Sequence, residues 1–332
     1  MSQRSLALTA VLGAAVVGLL LVSLPVSAQK APTPLRTPDG KPDLQGIWTN
    51  NTVTPLERPK ELGTKEFYTD QELADLTKRA RQGGNDVGEG VELGAARQNN
   101  LRYDLELYGF DRNKVRFSSK RTSLIVGPDG TIPPMLPEAR KRNADLAAKN
   151  KGHEFDSYAN RPLSERCIFE GQQGIPMLPA ANEGNLLQIV QGPGYVALFH
   201  EIDHDTRVIP TDGRPHVPQN IRLLQGDSVG HWEGDTLVVD TTNFTGRTMF
   251  RGSSENLHLV ERFTRAEDGT LIYRFTVEDP TTWAKPWTAE IPWTKAKGPV
   301  YEYACHEGNT MISTILHGAR VTEEEAAKKS GK

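Results

Sequence analysis

From about residue 185 onward, the chain is a series of short runs in which apolar and polar residues tend to alternate. Alternation with a period of two is typical of β-strands that are buried on one face. Gly192-Pro193-Gly194 and Asp268-Gly269 each separate two such runs, as in β-hairpins. No helical segment intervenes, so the pattern predicts an antiparallel barrel or sandwich. The predicted strands lie in NLLQIVQGPGYVALFHEIDHDTRVIP, GDTLVVDTTNF, LHLVERFTRAEDGTLIYRFTVEDP and PVYEYACHEGN.

The preceding part of the chain has a different pattern. Residues 29–43 are rich in proline and predict an extended arm, whereas residues 69–82 carry a T-x-x-E capping box and apolar residues at helical spacing. The run GGNDVGEG should end that helix. A second helix is predicted from Pro137, because proline is favoured at the first helical position. Between the two helices, RTSLIVGPDGTIP predicts a strand, a turn and a strand.

The first 28 residues resemble a secretory signal peptide. Arg4 precedes an apolar run, and Val26-Ser27-Ala28 matches a small-x-small cleavage site. The alternative is a membrane anchor, because Leu6–Leu24 is nearly long enough to span a bilayer. We expect cleavage after Ala28, a mature chain without stable membrane insertion, and a periplasmic or secreted location.

Composition narrows the function classes further. The formal net charge is −3, with acids and bases interspersed, which disfavours a nucleic-acid partner. The two cysteines, Cys167 and Cys305, suggest one disulfide in an oxidising compartment, the alternative being two separate buried thiols.

His200-Glu201-Ile202-Asp203-His204 matches H-E-x-x-H, the pattern of zinc proteases. That pattern requires a helix, so that both imidazoles reach one ion. Its surroundings are rich in β-branched and aromatic residues, which predicts a strand over residues 195–209. Two residues four apart on a strand lie roughly 13 Å apart, too far to share an ion. We therefore predict no zinc site and no metal.

Gly226-Asp227-Ser228-Val229-Gly230 matches the G-x-S-x-G pattern of serine hydrolases. A nucleophile elbow requires a strand, a sharp turn and then a helix. Here a Gly234-Asp235 turn and another strand follow. We expect the serine in a hairpin loop, and the serine-hydrolase reading is disfavoured.

Glu261 is the most informative polar residue. The pleat places it on the same face as Leu257, Leu259 and Phe263, which are apolar. A carboxylate on that face must either pair with a positive charge or have a raised pKa. A raised pKa is what general acid/base catalysis needs. The alternative is a structural ion pair with an arginine, for which Arg207, Arg251 and Arg262 are available. His258 belongs to the opposite face of the strand.

Histidines, arginines and carboxylates also gather at predicted strand ends, where β-proteins place their sites. Ordinary hydrogen bonding within loops would explain them equally well. The candidate catalytic residues are His204, Glu261 and His306. The candidate ligand-binding residues are Arg207, His216, Arg251, Glu255, His258 and Glu307.

The chain contains several long motifs, such as GDSVGHWEGDTLVVDTTNF and FRGSSENLHLVERFTR. These motifs resemble those of a large family of exported bacterial proteins, usually labelled hypothetical, and the resemblance spans nearly the whole mature chain. It implies no particular activity. The element Gly46-x-Trp48 also resembles the G-x-W of lipocalin-like barrels, where the tryptophan closes one end. The long insertion between Trp48 and about Arg161 departs from a compact lipocalin. The motifs are PDLQGIW, RTSLIVGPDGTIPP, ERC, QIVQGPGYV, HDTRVIPTDGRPH, GDSVGHWEGDTLVVDTTNF, FRGSSENLHLVERFTR, VEDPTTWAKPWT and YEYACHEGN.

These observations predict a mainly β, antiparallel lipocalin-like barrel or sandwich with a helical and irregular N-terminal region. Residues 1–28 are the signal peptide, 29–160 the arm and helical region, and 161–332 the barrel-like region, which forms one compact unit with the region before it. We expect a pocket for a small, partly apolar organic ligand. The alternative is an enzyme that works by acid/base chemistry without a cofactor, such as a lyase, hydratase or isomerase.

Overall fold

In a computed structural model of the chain, the described residues are 35–81, 117–169, 175–179, 186–247, 250–267 and 269–331. The predicted signal peptide, its cleavage site and the run GGNDVGEG lie outside these residues.

Nine strands form one antiparallel sheet that curves into a nearly closed barrel, which confirms the predicted fold class. Their order is β4-β3-β2-β1-β9-β8-β7-β6-β5, so strands that follow one another in sequence are paired, except β4 and β5. The first strand pairs with the last, and β4 and β5 are the two edges. The strands are β1 (Gly46–Thr49), β2 (Leu186–Gly192), β3 (Tyr195–His200), β4 (Asp205–Pro210), β5 (Asp227–Glu233), β6 (Thr236–Thr242), β7 (His258–Glu267), β8 (Thr270–Glu278) and β9 (Trp287–Lys295).

The odd number of strands determines how the edges meet. When nine strands are all antiparallel to their neighbours, the first and the ninth run in the same direction. Strands β4 and β5 are therefore parallel, and they approach one another across a gap that we call the seam. Parallel strands need a long connection. Residues 211–226 provide it, because they run from the end of β4 back to the start of β5.

The barrel interior is built from one face of each strand. On β8, for example, Leu271, Tyr273, Phe275 and Val277 alternate with more exposed residues and have no exposed surface. Trp293 of β9 packs against the ring of Tyr273, with 4.8 Å between ring centroids. Large aromatic side chains bury the most area per residue, so they dominate the stability of this core.

The G-x-W element forms β1, the shortest strand. Trp48 is fully buried, and its indole N–H donates to the carbonyl of Leu44 at 2.9 Å. Because β1 pairs with only the last two residues of β9, Ile125 makes a bridge to Ala289 farther along that strand. A segment of the N-terminal region thereby completes the barrel wall.

The described residues contain three α-helices: α1 (Asp70–Arg81), α2 (Pro137–Asn150) and α3 (Met311–Lys329). The first two were predicted. The capping box is formed, with the Thr69 hydroxyl accepting from Glu72 N–H and the Glu72 carboxylate accepting from Thr69 N–H. Helix α3 was not predicted. None of these helices combines the length and apolar composition needed to cross a membrane.

A disulfide joins Cys167 to Cys305, as predicted, with 5.7 Å between their Cα atoms. The predicted strand in PVYEYACHEGN is wrong, because residues 296–310 are irregular and lead into α3. The disulfide thus links the irregular segment that precedes α3 to the segment between α2 and β2.

Two other strand predictions need correction. RTSLIVGPDGTIP forms only isolated bridges, of which Ile125 with Ala289 is one, and no strand. Residues 195–209 are two antiparallel strands, β3 and β4, because a turn of 3-10 helix at Ile202–His204 reverses the chain. The alternation of apolar residues continues through that turn, which hid it from the sequence pattern.

Candidate functional site

Large aromatic side chains of the described residues pack inside the barrel, and a cavity at the β3–β4 end measures only about 10 Å³. That is about the space one water-sized group requires. We call this cavity the head pocket. It is lined by Met177, Leu187, Leu198, His200, Ile202, Asp205, Arg207 and Gln225.

A much larger groove of about 770 Å³ lies along the seam. Strands β4 and β5 form its floor, and the connection between them forms a wall. We call it the seam groove. Asp205, Arg207 and Gln225 line both the groove and the head pocket, so the two spaces meet there. Its lining is Pro193, Gly194, Tyr195, Asp205, Thr206, Arg207, Val208, Pro210, Asp212, Arg214, Pro215, Val217, Leu223, Gln225, Gly226, Asp227, Ser228 and Val229.

Across the seam, Gly230 of β5 lies against Ile209 of β4. A Cβ atom at Gly230 would lie 2.9 Å from a methyl carbon of Ile209, closer than side chains approach one another. The absence of a side chain at residue 230 therefore allows the two edges to come together. The residues of β4 and β5 that precede Ile209 and Gly230 line the seam groove.

Four polar residues form an interior cluster: His200, Arg207, Glu261 and Tyr273. Arg207 of β4 reaches Glu261 of β7 through two hydrogen bonds, of 2.5 and 3.0 Å. The Tyr273 hydroxyl donates to the same carboxylate at 2.8 Å. Glu261 has no exposed surface, and Leu257, Leu259 and Phe263 share its buried face, as the pleat predicted. Of the two predicted roles for Glu261, the geometry matches the ion pair.

The pKa values of this cluster follow from burial. Burial is the largest single influence on the pKa of Arg207 and lowers it, but the charge of Glu261, its hydrogen bonds and the nearby Tyr273 and Asp205 together raise the pKa overall. Burial and then the charge of Glu261 raise the pKa of Tyr273 well above its usual value. Arg207 thus stays charged beside the Glu261 side chain, and Tyr273 stays protonated.

His200 differs from the other members because its ring has no hydrogen-bond partner among the described residues. The side chain is buried, with 8% of the residue exposed, and lines the head pocket. Burial, followed by the positive charge of Arg207, lowers the pKa of His200 to about 4. Near neutral pH it is an uncharged imidazole, with one nitrogen as donor and the other as acceptor.

A second polar group crosses the outer face of β5 to β8. We call Asp227, His216, Asp240, His258 and Glu278 the outer-face row. His216 lies between two carboxylates, 2.7 Å from Asp227 and 3.0 Å from Asp240. His258 lies 2.8 Å from the other oxygen of Asp240 and 3.5 Å from Glu278. Asp227 also lines the seam groove, so the row begins at the groove and leads away from it.

Charge pairing controls titration in the outer-face row. The hydrogen bond to Asp240 raises the pKa of His258, and burial opposes that shift. Burial raises the pKa of Asp240, but the bonds to His258 and His216 outweigh it and lower the value overall. The charged forms of Asp240 and His258 are therefore favoured, in contrast to that of His200.

The structure does not bring all the predicted site residues together. Arg207 and Glu261 meet in the interior cluster, and His216 and His258 meet in the outer-face row, where His258 is on the face opposite Glu261 as predicted. The other candidates lie elsewhere. His204 is exposed against the ring of Phe199, Arg251 is in a turn at Phe250–Gly252, Glu255 is exposed beside Arg222, and His306 and Glu307 are exposed next to the disulfide.

The two enzyme motifs have other structural roles. H-E-x-x-H does not form an α-helix, because His200 ends β3 and His204 ends the turn of 3-10 helix. Across the described residues, no cluster of three or more His, Cys, Asp or Glu has an arrangement that could hold a metal ion. The serine of G-x-S-x-G is not in a loop as predicted. Ser228 lies buried within β5 and bonds to the hydroxyl of Thr241.

Three site residues were not identified from the sequence as functional: His200 as a pocket residue, Gln225 and Asp240. The pleat had placed His200 on an apolar face with Val196 and Leu198, which was the available signal. Gln225 carried none, because its position depends on how the long connection lies along the seam.

Comparisons with known proteins assign no family. Neither the scan against protein-family models nor the search of curated proteins gave a match. Among solved structures, the chain is similar to an asparagine-to-alanine mutant of the fluorescent protein UnaG. The two share 15% sequence identity over 39% of this chain and 87% of the other, with a TM-score of 0.22. Because this similarity is so weak, the function has to be inferred from the geometry of the site alone.

Proposed function

We propose that this protein binds a small organic molecule in the seam groove rather than inside the barrel. The observation that carries the proposal is the contrast in volume between the two spaces. The interior cavity of about 10 Å³ holds one water-sized group, whereas the seam groove of about 770 Å³ is within the range of small-molecule sites, roughly 300–1,000 Å³.

The lining of the groove favours a partly apolar ligand. Tyr195, Val208 and Leu223 are more than two-fifths exposed, and all three line the groove. Exposed apolar side chains that share a concave surface are typical of ligand and partner sites. The charged lining residues are mostly neutralised, since Arg207 pairs with Glu261 and Arg214 with Asp212. Apolar contact is therefore the larger source of affinity.

The acid/base enzyme has less support. Its proposed residues His204, Glu261 and His306 do not converge, and Glu261 is held by Arg207 and Tyr273. Both nitrogens of His216 face carboxylates. Proton transfer to a ligand requires a group within hydrogen-bond reach of it, which these residues do not provide.

We also propose that the protein is exported and belongs with the family of exported bacterial proteins that its motifs resemble. The disulfide between Cys167 and Cys305 supports the compartment, because such bonds persist in oxidising surroundings. Cleavage after Ala28 is the corresponding expectation. N-terminal sequencing of the purified protein tests it, and a retained Met1 would contradict it.

Nile red, an uncharged and partly apolar dye, tests the binding site. We expect its fluorescence to rise on binding, and Val208→Arg to weaken binding by about tenfold or more, because a charge would displace apolar contact. Val190→Arg is the matched control. Val190 is also an exposed valine on the outer face, in the same cross-strand row as Val208, but it does not line the groove.

Equal binding by the wild type, Val208→Arg and Val190→Arg would show that the dye binds elsewhere and would refute the groove as the site. Failure of the wild type to bind would count against an apolar ligand site of any kind.

A further inference from the structure

Resting on the proposed function, we propose that the ligand carries an uncharged oxygen, a hydroxyl or a carbonyl, that enters the head pocket and hydrogen-bonds to His200. The apolar remainder of the ligand lies in the seam groove. This inference assigns a ligand class and makes His200 a binding residue.

The connection between the two spaces supports this placement. Arg207 and Gln225 border both the groove and the head pocket, so a molecule lying in the groove meets the opening of the pocket between them. A volume of about 10 Å³ admits one oxygen with its hydrogen and excludes a carboxylate or phosphate group. The groove therefore holds the body of the ligand and the pocket holds a single atom group.

His200 provides the recognition. Buried polar side chains nearly always have a hydrogen-bond partner, and the ring of this one has none among the described residues. Its side chain lines the head pocket beside the apolar side chains of Leu187, its cross-strand partner, and Leu198. An oxygen in the pocket would satisfy it. A hydroxyl oxygen would accept from or donate to the imidazole, and a carbonyl oxygen would accept from it.

Further donors face the same space. A guanidinium has five N–H groups, and two of those of Arg207 are used by Glu261. The amide of Gln225 has no hydrogen bond within the described part of the chain. These groups surround an oxygen that accepts, which a ketone, aldehyde, ester or alcohol supplies.

The charges around the head pocket disfavour ionic ligands. Arg207 is neutralised by Glu261, and the carboxylate of Asp205 lies at the mouth, so an anion would meet a net negative surrounding. A cation would lose its hydration on entry, because a space of about 10 Å³ cannot also hold the waters that surround the ion. Moving an ion out of water without a partner is costly, whereas a neutral oxygen loses little.

A series with one chain and four head groups tests the proposal. Octan-1-ol, octan-2-one, octanoate and octylammonium are compared by displacement of Nile red at neutral pH. We expect both neutral compounds to bind at least about tenfold more tightly than both ions. His200→Leu should lower the affinity for octan-1-ol by about tenfold, and His200→Gln, which retains a donor and an acceptor, should restore most of it.

His204→Leu is the matched control, because His204 is exposed at the same turn and does not line the head pocket. It should leave all four affinities unchanged. The affinity of each variant for Nile red is measured first and is used to convert dye displacement into a Kd for each of the four compounds.

The outcomes separate the two proposals. If the ions bind as tightly as the alcohol, or His200→Leu binds octan-1-ol as tightly as the wild type, the head-group inference is wrong although the groove still binds ligand. If none of the four displaces Nile red from the groove, the inference is wrong as well. If Nile red binding is insensitive to Val208→Arg, the proposed function itself fails.

Discussion

The interior cluster and the outer-face row combine the same kinds of residue and place them in opposite environments. In the interior, one carboxylate is neutralised by Arg207, and His200 is left uncharged with no partner for its ring in the described structure. On the outer face, His216 and His258 each lie between carboxylates, and water reaches them. The hydrogen bond to Asp240 raises the pKa of His258, whereas burial next to Arg207 lowers that of His200. A neutral imidazole without a partner is what the proposed contact in the head pocket requires.

Strand β7 shows how closely the two environments adjoin. Glu261 and His258 are three residues apart, and an odd separation on a strand sends side chains to opposite faces. One lies in the core, and the other lies in the outer-face row.

Removing the charge of Glu261 should have the largest effect. Glu261→Gln leaves the guanidinium of Arg207 buried without a counter-charge, and breaking such a pair costs about 3–5 kcal/mol of unfolding free energy. Urea denaturation measures it. The control, Glu233→Gln, breaks an exposed pair with Arg262 and should cause no measurable loss. Equal effects of the two substitutions would show that the interior pair is not desolvated.

Acid should destabilise the protein through His200. Its pKa is about 4 in the folded chain and 6.5 when unperturbed, so between these values the unfolded chain binds a proton that the folded chain does not. Stability is therefore complete above the unfolded value and declines as the pH falls towards the folded one, by up to about 3 kcal/mol. His200→Gln removes this loss. We expect the wild type to lose more stability than His200→Gln between about pH 7 and pH 4.5, in urea denaturation. Equal losses of unfolding free energy in the wild type and His200→Gln would show that His200 is in contact with water in the folded chain.

The outer-face row should show the opposite sign with a smaller size. The pKa of His258 is raised in the folded chain, so its contribution is full below the unfolded pKa and disappears as the pH rises through the folded pKa. Because the pair is partly exposed, we expect His258→Gln to cost less than about 1 kcal/mol at mildly acidic pH and nothing at high pH. Thermal unfolding across pH measures this. A loss that is independent of pH would mean that His258 contributes by packing alone.

Local pattern predicted much of this molecule, and long-range pairing accounts for the rest. The alternation around Glu261 correctly placed its buried face, and Thr69 with Glu72 correctly began α1. The turn at Ile202–His204 was missed because apolar residues continue through it. The seam could not be predicted, since it depends on β1 pairing with β9 and on the odd number of strands.

The partner of Glu261 shows the same division. Three arginines were candidates, and only the closed barrel brings Arg207 within reach of it. The head pocket follows from that same closure, so it too could not be read from spacing along the chain.

The position of a bound ligand tests the central claim most directly. Backbone amide chemical shifts, recorded while octan-2-one is added, locate the site. The account predicts the largest shifts at the groove residues that carry an amide N–H, with a further shift at His200. These groove residues include Gly194, Tyr195, residues 205–208, Leu223 and residues 225–229. Shifts centred instead on Tyr273, Phe275 and Trp293 would place the ligand inside the barrel and contradict the account.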